Sequence, residues 1–140
     1  MPTMRTAQTA PTTTRAAPVD VAACNQVENY IRLVSQVVSS SVEAMTQSTH
    51  PPELAARTGA TQRNLTAAAD VLERLQLPVS LDQARRQLVR GLRLFSVDFG
   101  RARASVAHGD LATAAHQLVD RRALRLVSGA TAKIDRACGV

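Results

Sequence analysis

Residues 80–109 decide the fold class, and their sequence is SLDQARRQLVRGLRLFSVDFGRARASVAHG. Apolar residues recur along this stretch at steps of three and four, at Leu81, Ala84, Leu88, Leu92, Phe95, Phe99, Ala102 and Val106. Because an α-helix has 3.6 residues per turn, this spacing places them all on one face. The pattern predicts one long amphipathic helix that begins at a Ser80 N-cap and ends with Gly109 just beyond its last turn.

Three further segments, spanning about 21–46, 51–77 and 111–138, show the same period. The residues predicted to cap or end them are Asp20, Pro51, Pro78 and Asp110. In the last segment Asp120-Arg121-Arg122 interrupts the apolar stripe. That segment is therefore either one kinked helix or two short ones.

Four amphipathic segments with short connections predict an all-α fold, an antiparallel four-helix up-down-up-down bundle, with five helices if the last is split. The composition agrees, because 45% of the residues are hydrophobic but only 2% are aromatic, which favours a core of Leu, Val, Ile and Ala. Residues 19–140 are expected to form a single helical-bundle domain. Residues 1–18 are rich in Thr, Pro and Ala, without periodic apolar positions, and are expected to be a disordered tail.

The two cysteines lie at opposite ends of the chain but at the same end of such a bundle. Cys24 is near the start of the first helix and Cys138 near the end of the last, each on a predicted buried stripe. This placement predicts a disulfide, provided that the two Cα atoms come within about 7 Å. The alternative is two unrelated buried thiols. An oxidised pair favours an extracytoplasmic location, secreted or in the cell envelope, over the cytoplasm.

Membrane insertion is not expected. The best apolar stretch, Val34–Val42, is short and broken by Ser and Gln, whereas a span needs about 20 apolar residues. Residues 1–20 contain no apolar signal-peptide core, so an exported protein would have had its signal removed or left out of this sequence.

The charge is strongly biased toward arginine. The net charge is +6, and all but one of the 17 cationic residues are Arg, a usage typical of a GC-rich bacterial genome. Four arginines, Arg86, Arg90, Arg93 and Arg101, fall in one sector opposite the apolar stripe of the long helix. This basic ridge is either a solvated face or a contact for an anionic partner. Nucleic acid is a possible partner but is not favoured, because the ridge lacks aromatic residues for base stacking.

A second apolar set lies beside the main stripe of the first helix: Tyr30, Leu33 and Val37. We expect this apolar strip to pack on a second helix of the bundle or to contact a partner. The candidate occupants are an unknown protein partner, a second copy in a homodimer, or a hydrophobic ligand between helices.

No catalytic residue, cofactor or metal is predicted. The chain contains no Gly-rich phosphate loop, Gly-x-Ser-x-Gly elbow or His-Glu-x-x-His motif. His108 and His116 are near in sequence, but a helix cap and a surface residue account for them better than a metal or haem site does.

Three functions follow. The favoured one is a non-enzymatic, exported binding or structural module closed by a terminal disulfide. The alternatives are a cytoplasmic nucleic-acid-associated or regulatory protein that uses the basic ridge, and an all-α enzyme with an Arg-lined site.

Overall fold

The computed structural model describes residues 20–139, and this part of the chain is helical without any strand. The helices are α1 (Val21–Thr46), α2 (Pro51–Arg74), α3 (Val79–Ala107), α4 (Leu111–Gln117) and α5 (Arg121–Cys138). The predicted all-α bundle is confirmed, and the last segment is split into two helices. The tail predicted for residues 1–18 lies outside the described residues.

The four long helices follow each other around the bundle as antiparallel neighbours. α2 packs between α1 and α3, and α5 packs on the other side of α3. The α1–α5 seam closes the circle but is much the weakest of the four contacts. Within residues 20–139 no backbone contact joins the diagonal pairs, α1 with α3 and α2 with α5. This is the up-down-up-down arrangement.

The two helices of the α1–α5 seam also differ in length. α1 has 26 residues and α5 has 18, or about 39 Å against about 27 Å at 1.5 Å per residue. The two helices meet at the end that holds the cysteines, called here the disulfide end. The last turns of α1 therefore have no α5 beside them, and the short helix α4 lies at this opposite end, the α4 end.

Aspartates start three of the helices. The Asp20 carboxylate accepts from the Ala22 N–H at 2.9 Å, and the Asp110 carboxylate accepts from the Thr113 N–H at 3.0 Å, as predicted. Asp120 does the same for α5, accepting from the Ala123 N–H at 3.0 Å. An N-cap belongs to a new helix, so Asp120 explains physically why the last segment is split.

The prediction of a Ser80 N-cap was wrong. α2 ends at Arg74, before Pro78, and Leu75 is already extended. α3 begins at Val79, so Ser80 lies in its first turn and Pro78 occupies the N-cap position. Proline excludes its preceding residue from helical geometry, while its own carbonyl accepts from the Leu81 N–H at 2.9 Å.

Gly109 ends α3 as predicted. Its φ of 78° lies in the left-handed region that glycine adopts without steric cost. The Gly109 N–H donates to the Val106 carbonyl, and the Asp110 N–H donates to the Ser105 carbonyl, both at 2.9 Å. This pair of bonds satisfies the last carbonyls of α3 and turns the chain sharply into α4.

The core divides along the bundle axis. Large side chains fill the disulfide end, where Val27, Leu72, Leu81 and Ile134 are fully buried. At the α4 end a separate small cluster is made of Ala102, Val106 and Ala114. The predicted buried face of α3 is confirmed, apart from the half-buried residue Phe95.

Candidate functional site

The disulfide predicted from the topology is present. Cys24 and Cys138 are bonded through their sulfur atoms, with their Cα atoms 5.7 Å apart. The bond joins the first turn of α1 to the last turn of α5 across 114 positions of sequence. It therefore fixes covalently the seam that noncovalent packing closes least well.

A carboxyl pair lies near the disulfide on the same seam. The side chains of Glu28 on α1 and Asp135 on α5 lie close enough to interact. Burial, followed by the interaction with the Asp135 carboxyl, raises the pKa of Glu28, and the nearby Arg32 opposes this. Within residues 20–139 the buried Glu28 Oε1 has no hydrogen-bond partner.

A second carboxyl pair joins α3 to the start of α5. Asp98 is only 8% exposed, and its side chain meets that of Asp120. Burial, followed by the hydrogen bond and charge of Asp120, raises the pKa of Asp98 to about 6, against the opposing charge of Arg101. The hydrogen bond from Asp98, together with the Ala123 N–H, lowers the pKa of Asp120.

Sequence reasoning did not find these pairs because each joins residues that are far apart in sequence. Asp98 in particular lies on the buried side of a helix with no spacing signal to mark it. Neither pair lines any of the grooves described below.

The apolar strip of α1 lines a groove between α1 and α2. Tyr30, Leu33 and Val37 form one wall, and Ala67, Ala68 and Val71 belong to the α2 side. The groove has a volume of about 190 Å³. The structure thus brings the three predicted strip residues together on one concave surface, called here the α1–α2 groove.

The strip residues differ in how firmly they are held. The Tyr30 hydroxyl donates to the Ala68 carbonyl at 3.2 Å, which ties α1 to α2. Leu33 is 53% exposed, and Val37 is also exposed. Tyr30 is therefore a structural contact, while Leu33 and Val37 remain uncovered apolar surface.

The basic ridge lies on a wide groove along α3. This α3 groove, of about 810 Å³, is lined by Arg86, Arg90 and Arg93, with Arg85, Glu73 and apolar Leu94 among the remaining residues. Arg101 of the predicted ridge does not line it. Three of the four predicted arginines are thus brought together.

Carboxylates offset much of the charge of this groove. Arg86 pairs with Asp82 at 3.0 Å, and Arg85 pairs with the same carboxylate. Arg93 pairs with Asp70 at 3.0 Å and also with Glu73, both on α2. A count along α3 alone misses these two acids, so the ridge is less basic in the folded protein than its sequence indicates.

Arg90 and Arg101 remain the exposed, positively charged part of the ridge. Within residues 20–139 neither side chain forms an ion pair with a carboxylate, and both are exposed. Two separated guanidinium groups offer less to a polyanion than the four that the sequence predicted.

The histidines occupy the positions expected of structural residues. The His108 ring Nδ1 lies 2.8 Å from the Ala104 carbonyl at the end of α3, and His116 is exposed on α4. Across residues 20–139 no group of three or more His, Cys, Asp or Glu side chains is placed to hold a metal ion.

Two observations bear on the class of protein. None of the helices in residues 20–139 combines the length and the apolarity needed to cross a bilayer. No protein-family model, curated protein or solved structure matches the chain.

Proposed function

We propose that this protein is a non-enzymatic binding module that acts outside the cytoplasm and receives an amphipathic helix in its α1–α2 groove. The observation that carries the proposal is the uncovered apolar wall of this groove. Leu33 is 53% exposed and Val37 is also exposed, although α2 lies beside them. These two side chains leave apolar surface open to a partner.

The shape of the groove suits a helix. Two antiparallel helices form its walls, and the small side chains of Ala67 and Ala68 leave room for a third to approach closely. The apolar residues of α1 that line the groove, Tyr30, Leu33 and Val37, are three and four positions apart. An amphipathic helix that enters the groove would present apolar residues at the same spacing. Helix-in-groove recognition uses such steps as its anchors.

The disulfide supports the proposed compartment. Disulfides form and persist in oxidising surroundings and are rare in the cytosol, where thiols are kept reduced. Here the bond closes the weakest seam of the bundle, which is a structural role. The extracytoplasmic location is therefore part of the proposal.

Photo-crosslinking tests the groove. Replacing Leu33 with p-benzoylphenylalanine should give an adduct in the organism that makes the protein, and replacing Leu124 should not. Leu124 is a matched control because it is 57% exposed on α5, outside the groove. An adduct of twice the chain mass identifies a second copy, and a heterologous adduct that Val37→Glu abolishes identifies a partner. No adduct above the Leu124 control contradicts the proposal.

Alkylation followed by intact-mass measurement tests the compartment. In protein prepared with its native oxidation state preserved, neither cysteine should react under denaturing conditions until reductant is added. Two thiols that alkylate without reductant would place the protein in a reducing compartment and contradict the extracytoplasmic assignment.

A further inference from the structure

A pocket lies at the α4 end, where the α1–α5 seam is open, and four helices contribute to it. Val42 and Met45 come from α1, Leu54 from α2, Val106 from α3, and Leu111 and Ala115 from α4. Its volume is about 290 Å³.

Small side chains make this surface concave. Thr58, Ala102 and Ala114 are buried and form its floor, in positions where the disulfide end carries Leu and Ile. The side chain of Met45 lies at its wall and can adapt, because methionine is unbranched and flexible. The pocket therefore results from a difference in side-chain size between the two ends of one bundle.

The walls of the pocket are almost entirely apolar. Within the described chain no charged side chain lines the pocket, and its two hydroxyl groups are already bonded. The Thr58 hydroxyl donates to the Leu54 carbonyl at 2.7 Å, and the Thr46 hydroxyl donates to the Glu43 carbonyl at 2.8 Å. A polar or ionic ligand would lose its hydration here without gaining a partner.

We infer that this α4-end pocket binds a small, uncharged hydrocarbon ligand. A cavity of about 150 Å³ is large enough to hold benzene, so the volume of about 290 Å³ is sufficient for a small hydrocarbon. Exposed apolar side chains at its rim, Val42 and Leu111, would also be covered by such a ligand. The inference is independent of the α1–α2 groove, which lies on the other side of α1.

The experiment uses the neutral fluorescent probe 1-aminoanthracene with the oxidised full-length protein. We expect saturable binding of one probe per chain, displaced by 1-octanol. Ala115→Phe should fill the pocket and weaken probe binding at least tenfold. Ala112→Phe is the control, because Ala112 is exposed on α4 away from the pocket. It should leave binding within about twofold.

A second pair of variants guards against a change in the fold of α4. Val42→Glu places a charge at the rim from α1, where the side chain is 41% exposed, and should also weaken probe binding at least tenfold. Val71→Glu is its control, because Val71 is 37% exposed but lines the α1–α2 groove instead. It should leave binding within about twofold.

Three results would overturn the inference. The first is the absence of saturable probe binding, and the second is equal binding by the wild type and both pocket variants. The third is binding that falls as the protein dimerises, which would show that a second copy covers the pocket. Binding lost in Leu33→Glu but kept in Ala115→Phe would assign the probe to the α1–α2 groove.

Discussion

The two ends of this bundle are built differently. At the disulfide end a covalent bond and the fully buried Leu72, Leu81 and Ile134 hold the helices together. At the α4 end the core is small, with Ala102 and Ala114 among its members, and the helices separate.

This difference shows which end of the bundle contributes most of the stability and which end leaves apolar surface uncovered. Burial of large apolar side chains supplies most of the driving force for folding, and it is concentrated at the disulfide end. The α4 end contributes less, so it has space for a pocket. The predictions below test whether the two ends differ as described, from the largest expected effect to the smallest.

Removing the disulfide should have the largest effect. Cys24→Ser with Cys138→Ser should lower the free energy of unfolding by about 2–5 kcal/mol, because the open chain has more conformational entropy when unfolded. Chemical denaturation of the variant and of the wild type with and without reductant measures this. The reduced wild type should unfold at the same denaturant concentration as the variant. If the oxidised wild type also unfolded at that concentration, the disulfide would not contribute to stability.

Truncating the core should cost more at the disulfide end than at the α4 end. Leu72→Ala removes a fully buried side chain and should lower the free energy of unfolding by about 3 kcal/mol. Val106→Ala removes two methyl groups from the α4-end cluster and should cost about 1.5 kcal/mol. Equal losses measured by urea unfolding would contradict the difference between the ends, because Val106→Ala removes one carbon fewer than Leu72→Ala.

Lowering the pH should stabilise the contact between α3 and the start of α5. The pKa of Asp98 is raised to about 6, so the native state binds a proton that the unfolded state releases near pH 4. This stability is fully present below about pH 4 and is lost as the pH rises through about 6, a change on the order of 3 kcal/mol. Asp120 titrates below this window because its pKa is lowered.

Asp98→Asn tests this linkage. An amide cannot ionise, so the free energy of unfolding of the variant should vary less between pH 4 and pH 6, with a residual slope from Glu28. Asp110→Asn serves as the control because Asn also caps helices and Asp110 lies at the start of α4. A steep profile that persists in Asp98→Asn would exclude Asp98 as its source.

The smallest effect concerns the contact that holds α1 to α2. Tyr30→Phe removes the hydroxyl that donates to the Ala68 carbonyl and should cost about 1 kcal/mol. Thermal unfolding followed by circular dichroism measures this. A cost above that of Leu72→Ala would show that α1 depends on this one hydrogen bond more than on its packing.

The fold was predictable because local signals and the global arrangement agree. Periodic apolar residues located every helix, Asp20 and Asp110 marked two starts, and Gly109 marked an end. The prediction at Ser80 was wrong because, although Ser is a favoured N-cap in general, Pro78 two residues earlier occupies the N-cap position of α3. The position of the disulfide followed from topology alone.

The sites were less predictable because they depend on which side chains of different helices meet. Arg93 looks like a free cation in sequence, but Asp70 and Glu73 on α2 neutralise it. Leu33 and Val37 were identified because their own helix shows them outside its main stripe. The α4-end pocket has no local signal, since it arises where α5 is too short to accompany α1.

The bond between Cys24 and Cys138 also changes what a protease can do to this protein. Every connection between helices lies inside the segment that the bond encloses. A single cut, for example between α1 and α2, leaves all pieces in one molecule of almost unchanged mass. Release of a fragment requires a second cut or a reductant, so a nicked chain can keep its helices in place long after its backbone is first broken.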